Sequence, residues 1–117
     1  MINCAGFAAY GRFEDQPIES LEDCMQINYM GSVYALQQAW PFLKKAKGQL
    51  SFVSNVAGYL GLIGYSSYSP TKLAMTGLAE SLRFEEVDDN IRSLSFIPLI
   101  PILQCCGIGT FILYRSA

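Results

Sequence analysis

Apolar and polar residues follow two repeating patterns over the first 98 residues of the chain. Short apolar runs typical of buried strands occur at Met1 to Cys4, Leu50 to Ser54 and Ile91 to Pro98. Between these runs, apolar residues recur at steps of three and four, as they do on one face of a helix. The order strand, helix, strand, helix, strand predicts an α/β fold with a parallel sheet and right-handed connections.

The first helical pattern begins after a loop over residues 5 to 19, which contains two glycines and a proline. Ser20, followed by Asp23, predicts the N-terminal cap, and the helix is expected to run to about Lys47. Pro41 should kink or interrupt it, and Gly48 should end it. Its apolar face is predicted to carry Cys24, Ile27, Met30, Val33, Leu36 and Trp40.

The second helix is predicted from about Ser66 to Val87, after a glycine-containing loop over residues 58 to 64. It should place one set of side chains together on a single face, namely Leu73, Gly77, Leu78, Ser81 and Leu82. The pattern therefore predicts two long helices, each connecting one strand to the next.

Residues 99–117 form an apolar tail that differs in character from the α/β segment 1–98. Counted from Phe96, the apolar run approaches the roughly 20 residues that a membrane-spanning helix needs. Two prolines near its start, Gln104 in the middle and two glycines instead favour using its first part as the next strand of the sheet. A membrane span remains the alternative.

Composition and charge exclude several classes of function. The net charge is -2 with 15% charged residues, so no basic stripe indicates a nucleic-acid partner. The chain has no His, which excludes Ser-His-Asp and Cys-His catalysis and the usual zinc sites, and no metal site is predicted. The four Cys residues lack metal-type spacing, which favours reduced thiols in a cytosol-facing protein.

The chemistry of the chain is concentrated in the step from Tyr68 to Lys72. Side chains four residues apart share a face of a helix. A phenol is a weak acid at neutral pH, but an ammonium group one turn away favours the phenolate and lowers the phenol pKa. The pair could then donate or accept a proton, although spacing alone is weak evidence for it.

Three polar landmarks precede this pair. Asn3-Cys4-Ala5-Gly6 follows the first strand, Asn28 lies within the first helix, and Ser54 and Asn55 end the second strand. In open parallel α/β sheets, ligands bind beside the carboxyl ends of the strands. The landmarks and the Tyr68/Lys72 pair are therefore candidates for one site.

In this order, the Asn-x-Ala-Gly segment, the helix Asn, the polar strand end and the Tyr-x-x-x-Lys step resemble the short-chain dehydrogenase/reductase family over residues 1 to 98. The resemblance implies the central to C-terminal part of a Rossmann-like, doubly wound parallel sheet. It implies that Tyr68 protonates a ketone oxygen and that Lys72 binds the nicotinamide ribose. Asn28 would hold a water that links Lys72 to a proton relay.

The resemblance also implies a cofactor site. Asn3, Ala5 and Gly6 would line the adenosine side of the cleft, and Pro98 would lie beside the nicotinamide. The glycine-rich phosphate-binding motif of the family is not found in this sequence, and it would lie before Met1.

One catalytic position departs from the family pattern. The substrate-orienting Ser of the family lies thirteen residues before the Tyr, where this chain has Asn55. Ser54 lies one position early, and because strand residues alternate between faces it is not expected to replace that Ser. An Asn amide can still donate a hydrogen bond to a carbonyl oxygen, so Asn55 is the predicted substitute.

Two hypotheses for function remain. In the first, the chain belongs to an NADPH-dependent reductase of a lipid ketone, most like family members that reduce the 3-keto group of a long-chain sphingoid base. Such a protein is expected at the cytosolic face of the endoplasmic reticulum membrane, as a homodimer through its two long helices. In the second, the chain is an inactive fragment that acts at most as an interaction module through those helices.

Overall fold

The computed structural model describes residues 1–85 and two strands beyond them, 92–98 and 111–113. Its four-stranded sheet has the order β1-β2-β3-β4. The parallel strands are β1 (Ile2–Asn3), β2 (Gln49–Val53) and β3 (Arg92–Pro98), and β4 (Phe111–Leu113) is antiparallel to β3. The predicted α/β fold is therefore confirmed. The strand predicted in the first part of the tail lies outside the described residues.

The connection from β1 to β2 is one long helical segment in three parts. It consists of α1 (Ile18–Met25), a π-helical turn (Gln26–Met30) and α2 (Gly31–Ala46). The predicted cap at Ser20 is wrong, because Pro17 occupies the N-cap position without a side-chain cap and its carbonyl accepts the N–H of Ser20. Proline suits this end because the first turn of a helix does not use its N–H groups.

The π turn is an irregular feature of this segment. The chain stays helical through Pro41 to Ala46, so an interruption at Pro41 is wrong, while a kink there stays a prediction. The wider π turn changes the phase of the helix, which turns Asn28 inward and leaves Ile27 half exposed. The continuous apolar face predicted through Ile27 is therefore wrong at that position.

The helical segment ends with a left-handed residue. Lys47 has φ 47°, and the N–H of Gly48 bonds to the carbonyl of Leu43 at 2.9 Å. This arrangement satisfies a carbonyl that a helix end leaves without a partner. The helix ends at Ala46, just before the predicted stop at Gly48, and the left-handed residue is Lys47.

The second long helix, α3, spans Ser69–Glu85, and the carbonyl of Tyr68 accepts the first N–H bonds of that helix. Its buried face carries Thr71, Lys72, Met75 and Ala79. Leu73, Gly77 and Ser81 are exposed, so the face predicted from the apolar pattern is wrong, although Leu78 and Leu82 are partly buried against the core.

The hydrophobic core lies where β2 meets the long helices. Leu50 and Phe52 lie two residues apart on β2, so they point to the same face of the sheet, and both are almost completely buried. They pack with residues of α2 and α3, namely Leu36, Leu43, Met75 and Ala79. Among the described residues, Phe52 of β2 is the largest fully buried side chain. Because β2 also pairs with strands on both sides, it holds in place the residues that follow its carboxyl end.

We predict that Phe52→Ala lowers the free energy of unfolding by about 3–5 kcal/mol, because it leaves a cavity in the core. Phe13→Ala is the matched control, since Phe13 is 71% exposed before α1, and its loss should be within about 0.5 kcal/mol. Urea denaturation followed by circular dichroism measures both variants. Equal losses in the two variants would contradict the position assigned to the core.

Candidate active site

The four predicted catalytic residues meet beyond the carboxyl end of β2. The Nδ2 of Asn55 donates to the hydroxyl oxygen of Tyr68 at 2.9 Å. The Nζ of Lys72 lies 5.5 Å from the centre of the Tyr68 ring, and Asn28 bonds to the residue between them, Thr71. The structure therefore brings these side chains together where parallel α/β sheets place their ligands.

Tyr68 is fixed by the start of α3 and by its aromatic neighbours. Its carbonyl accepts the N–H of Thr71 at 3.0 Å and the hydroxyl of Thr71 at 2.7 Å. Its ring lies edge-on to that of Tyr65, with 6.0 Å between centroids, and Tyr65 contacts Tyr10 in the same way at 4.9 Å. With 6% of its surface exposed, Tyr68 has little freedom to reorient.

Lys72 is a buried cation with a defined anchor. It is 7% exposed, and its Nζ donates to the carbonyl of Val53, the last residue of β2, at 3.0 Å. Burying an ammonium group is costly unless hydrogen bonds offset the lost hydration. The contact with the Tyr68 ring adds a cation–π attraction and places the positive charge beside the phenol.

Ser54 and Asn55 face different surroundings, as strand alternation predicts. The Oγ of Ser54 is buried and has no hydrogen-bond partner among the described residues. It lies so close to Gly58 that a Cβ added there would be 2.5 Å away. Of the two residues, it is Asn55 that bonds to Tyr68. The side chain at the family's Ser position is therefore an amide in this chain.

Asn28 joins three segments through one amide group. Its Oδ1 accepts the N–H of Phe7 at 2.9 Å, and its Nδ2 donates to the carbonyl of Phe7 at 2.9 Å and to the Oγ1 of Thr71 at 3.0 Å. It is 2% exposed. The described contacts give Asn28 a bracing role, and its predicted water link to Lys72 stays a prediction.

Sequence reasoning missed three partners in this network. Thr71 lies inside the Tyr-x-x-x-Lys step, where its position one residue before Lys72 is a signal that could have identified it. Phe7 takes part through its backbone, which no side-chain pattern reveals. Val53 is the same kind of case, since it contributes its carbonyl, and not its side chain, to Lys72.

The residues predicted on the cofactor side lie at the ends of β1 and β3. Ala5 and Gly6 are exposed after β1, and the Nδ2 of Asn3 donates to the carbonyl of Ser32 at 3.4 Å. A Cβ at Gly6 would lie 3.0 Å from the Oδ1 of Asn28 and 3.9 Å from the Nζ of Lys72. Pro98 is the last residue of β3, and its side chain lies outside the described residues.

This arrangement fits the nicotinamide end of a dinucleotide. The absence of a side chain at Gly6 lets the backbone approach the Asn28 and Lys72 cluster closely. A hydroxyl at Tyr68 and an ammonium at Lys72 supply the donors that a ribose needs.

Among residues 1–85, no three His, Cys, Asp or Glu side chains come together to bind a metal ion.

A groove of about 400 Å³ lies between the segment before α1 and the loop before α3. The loops are joined by the N–H of Gly11, which donates to the carbonyl of Gly64 at 3.1 Å. The groove is lined by Arg12, Phe13, Glu14, Leu62, Ile63, Gly64 and Ser66. The groove is open to solvent, and its lining combines apolar side chains with the charged Arg12 and Glu14.

A family model described as short chain dehydrogenase matches residues 1–100. The chain belongs to the short-chain dehydrogenases. This finding confirms the resemblance that the ordered landmarks predicted.

Related short-chain dehydrogenases include reductases of sphingoid ketones. The chain is 41% identical over 92 residues to 3-dehydrosphinganine reductase of Danio rerio, covering 78% of this chain and 28% of that protein. It is 47% identical over 88 residues to 3-ketodihydrosphingosine reductase of Dictyostelium discoideum, covering 73% of this chain and 26% of that protein. The chain thus spans little more than a quarter of the length of these relatives.

Solved structures share the fold, and the first of the two described here is a short-chain dehydrogenase. One from Streptomyces avermitilis matches with a TM-score of 0.81 and 28% identity, covering 92% of this chain and 40% of that chain. ElxO with NADP bound matches with a TM-score of 0.76 and 21% identity, covering 80% of this chain and 39% of that chain. The observed sheet and helices are therefore part of a Rossmann-like short-chain dehydrogenase domain.

We predict that Asn28→Asp lowers the free energy of unfolding by about 3–5 kcal/mol, because it buries a carboxylate against the carbonyl of Phe7 and removes two donated hydrogen bonds. Gln38→Glu makes the same chemical change at an exposed position of α2 and should cost less than about 0.5 kcal/mol. Urea denaturation measures both, and hydrogen exchange at the Phe7 amide reports the local loss. An Asn28→Asp variant as stable as the control would contradict the bracing role.

Proposed function

We propose that this chain carries the catalytic segment of an NADPH-dependent ketone reductase that converts 3-ketodihydrosphingosine to dihydrosphingosine. The observation that carries the proposal is the contact of Asn55 with the Tyr68 hydroxyl beside the buried Lys72 ammonium. A phenol held between an amide donor and a cation suits proton donation to a carbonyl oxygen.

In the proposed reaction, Tyr68 gives its proton to the ketone oxygen. Lys72 stabilises the phenolate that remains, because its positive charge lies against the ring. The nicotinamide supplies the hydride when it is bound. The anchor of Lys72 on the Val53 carbonyl keeps this charge in place before the substrate arrives.

The lipid nature of the substrate is supported by the groove and by the relatives. Phe13, Leu62 and Ile63 line the groove, and Ile63 is 96% exposed. A hydrocarbon chain that covers these side chains would remove apolar surface from water, which favours binding. Relatives named as sphinganine or sphingosine ketone reductases fit a substrate of this kind.

Lys72 and Tyr68 would hold the nicotinamide ribose, and Asn3, Ala5, Gly6 and Pro98 would line the rest of the cofactor site in the proposed protein. The small side chains at Ala5 and Gly6 and their exposure after β1 support close approach of a cofactor. The choice of NADPH follows from the resemblance to the sphingoid ketone reductases.

We place the proposed reaction at the cytosolic face of the endoplasmic reticulum membrane, where a membrane-borne lipid ketone would be reached. Within the described residues, no helix combines the length and the apolar character that crossing a bilayer requires. The support for this location is the lipid character of the proposed substrate.

The test is a chimera in which this chain's residues replace the matching 92 residues of the Danio rerio reductase. With 3-ketodihydrosphingosine in detergent micelles, we expect NADPH oxidation and formation of dihydrosphingosine. Tyr68→Phe should lower the rate about 10²–10⁴-fold, because the general acid is lost. Absorbance at the NADPH band and mass spectrometry of the product measure the two sides of the reaction.

Tyr34→Phe is the matched control for this chimera. Tyr34 is exposed on α2, so removal of its hydroxyl should leave the rate unchanged. A folded chimera without turnover would overturn the proposed function. A chimera whose rate does not fall with Tyr68→Phe would overturn the role of Tyr68.

A second proposed function is self-association through α2 and α3. The exposed residues Leu73, Gly77 and Phe84 lie along one stripe of α3, and a Cβ at Gly77 would meet nothing within 4 Å. On α2, Tyr34 and Phe42 are also exposed. These helix surfaces support a homodimer, and they would equally serve a fragment that acts only as an interaction module.

We predict that Phe84→Glu weakens dimer formation at least tenfold, because it places a charge in the proposed helix interface. Phe13→Glu is the control, since Phe13 is equally exposed, at 71%, but lies in the loop before α1. Sedimentation velocity over a concentration series measures the association. A monomeric parent chain, or equal effects of the two substitutions, would argue against this interface.

A further inference from the structure

The amide of Asn55 makes two hydrogen bonds that fix which of its ends faces Tyr68. Its Oδ1 accepts the N–H of Ala57 at 3.0 Å, and its Nδ2 lies 2.9 Å from the hydroxyl oxygen of Tyr68. A backbone N–H requires an acceptor, so the oxygen end of the amide must face Ala57. The NH₂ end must therefore face Tyr68.

An NH₂ group can donate a hydrogen bond but cannot accept one. The oxygen of Tyr68 is thus the acceptor in this contact, and the proton of the phenol cannot be given to Asn55. A Ser hydroxyl at this position could either donate or accept, which would allow two arrangements of the same pair. Asn55 allows only one of them.

We propose that Asn55 is a positioning residue that directs the proton of Tyr68 toward the substrate and stabilises the phenolate after the proton has left. The proposal rests on the proposed function. The O–H bond of Tyr68 would break as a new O–H bond forms on the carbonyl oxygen, and the hydride that reaches the carbonyl carbon would come from a dihydronicotinamide. The ketone would be reduced to an alcohol and the dihydronicotinamide oxidised.

The bond to Ala57 explains how the direction is enforced. Asn55 occupies the N-cap position of the 3₁₀ turn Val56–Gly58, so its Oδ1 is held by the turn itself. If the amide of Asn55 flipped, its NH₂ group would face the N–H of Ala57, and its carbonyl oxygen would face the Tyr68 hydroxyl. The phenol could then donate to that oxygen, but the N–H of Ala57 would have no acceptor. An unsatisfied buried N–H disfavours the flipped state.

The test is a pH titration of Tyr68 in the 117-residue chain, observed by NMR with Tyr labelled at the ring carbon that carries the hydroxyl. Tyr68→Phe assigns the signal, and the exposed Tyr34 is the internal control. We expect Asn55→Ala to raise the ionisation midpoint of Tyr68 by about one pH unit, because a donor to the phenolate is lost. Tyr34 should not change.

Asn55→Asp separates positioning from capping. Asp keeps an acceptor for the N–H of Ala57, but it presents a carboxylate to Tyr68, so the phenol must donate to it. The midpoint should rise further than in Asn55→Ala. Asn55→Ser restores a group that can donate, and its midpoint should fall between those of the parent chain and Asn55→Ala.

An unchanged midpoint in folded Asn55→Ala or in Asn55→Asp would overturn the proposal and leave Asn55 as a cap only. If Asn55→Ala does not fold, Asn55→Asp decides alone, because it preserves the cap. The titration needs no turnover. If the midpoints shift but the chimera is inactive, the positioning role of Asn55 is sustained and the proposed function is rejected. If the chimera is active but the midpoints do not shift, the proposed function is sustained and the positioning role is rejected.

Discussion

The hydrogen bonds of the Asn28 side chain are the constraint on which the rest of the site depends. One amide joins the segment after β1, the long helical connection and the start of α3, through Phe7 and Thr71. Because Thr71 in turn donates to the carbonyl of Tyr68, the helix that presents the phenol is tied to a strand end that is distant in sequence. A shift of Phe7 or Thr71 would leave a buried polar group without its hydrogen bond, which is costly in free energy.

Asn28 lies in a π turn, which interrupts the regular helical hydrogen bonding of the long segment. In a regular helix, an Asn competes with the backbone for hydrogen bonds and is a poor interior residue. Here the irregular turn gives Asn28 an inward orientation, and the partners of its side chain lie outside its own helix. Irregular helical turns are frequent at functional sites for this reason.

The sequence allowed the chemical centre to be predicted better than its scaffold. The resemblance placed Asn55 at the family's Ser position, thirteen residues before Tyr68, and strand alternation argued against Ser54. The contact of Asn55 with the phenol itself was not predicted and is a finding of the structure. The π turn could not be predicted, because a pattern of apolar residues assumes a constant helical period. The predicted face of α3 mixed inward and outward positions, because the apolar Leu73 was expected to face the core and instead lies at the surface.

The two loops that border the groove are connected by the backbone of Gly11 and Gly64. The backbone of Tyr65 pairs with that of Gly11 in a β-bridge, and the ring of Tyr65 packs edge-on against the ring of Tyr68. The paired loops are therefore linked to the phenol through the ring of Tyr65. Phe13 and Ile63 line the groove between these loops, whereas Tyr68 is not part of that lining. In the proposed reductase, these outer loops could therefore change in length, and with them the size of the ketone admitted, while Asn55 and Thr71 still bond to the hydroxyl and the carbonyl of Tyr68.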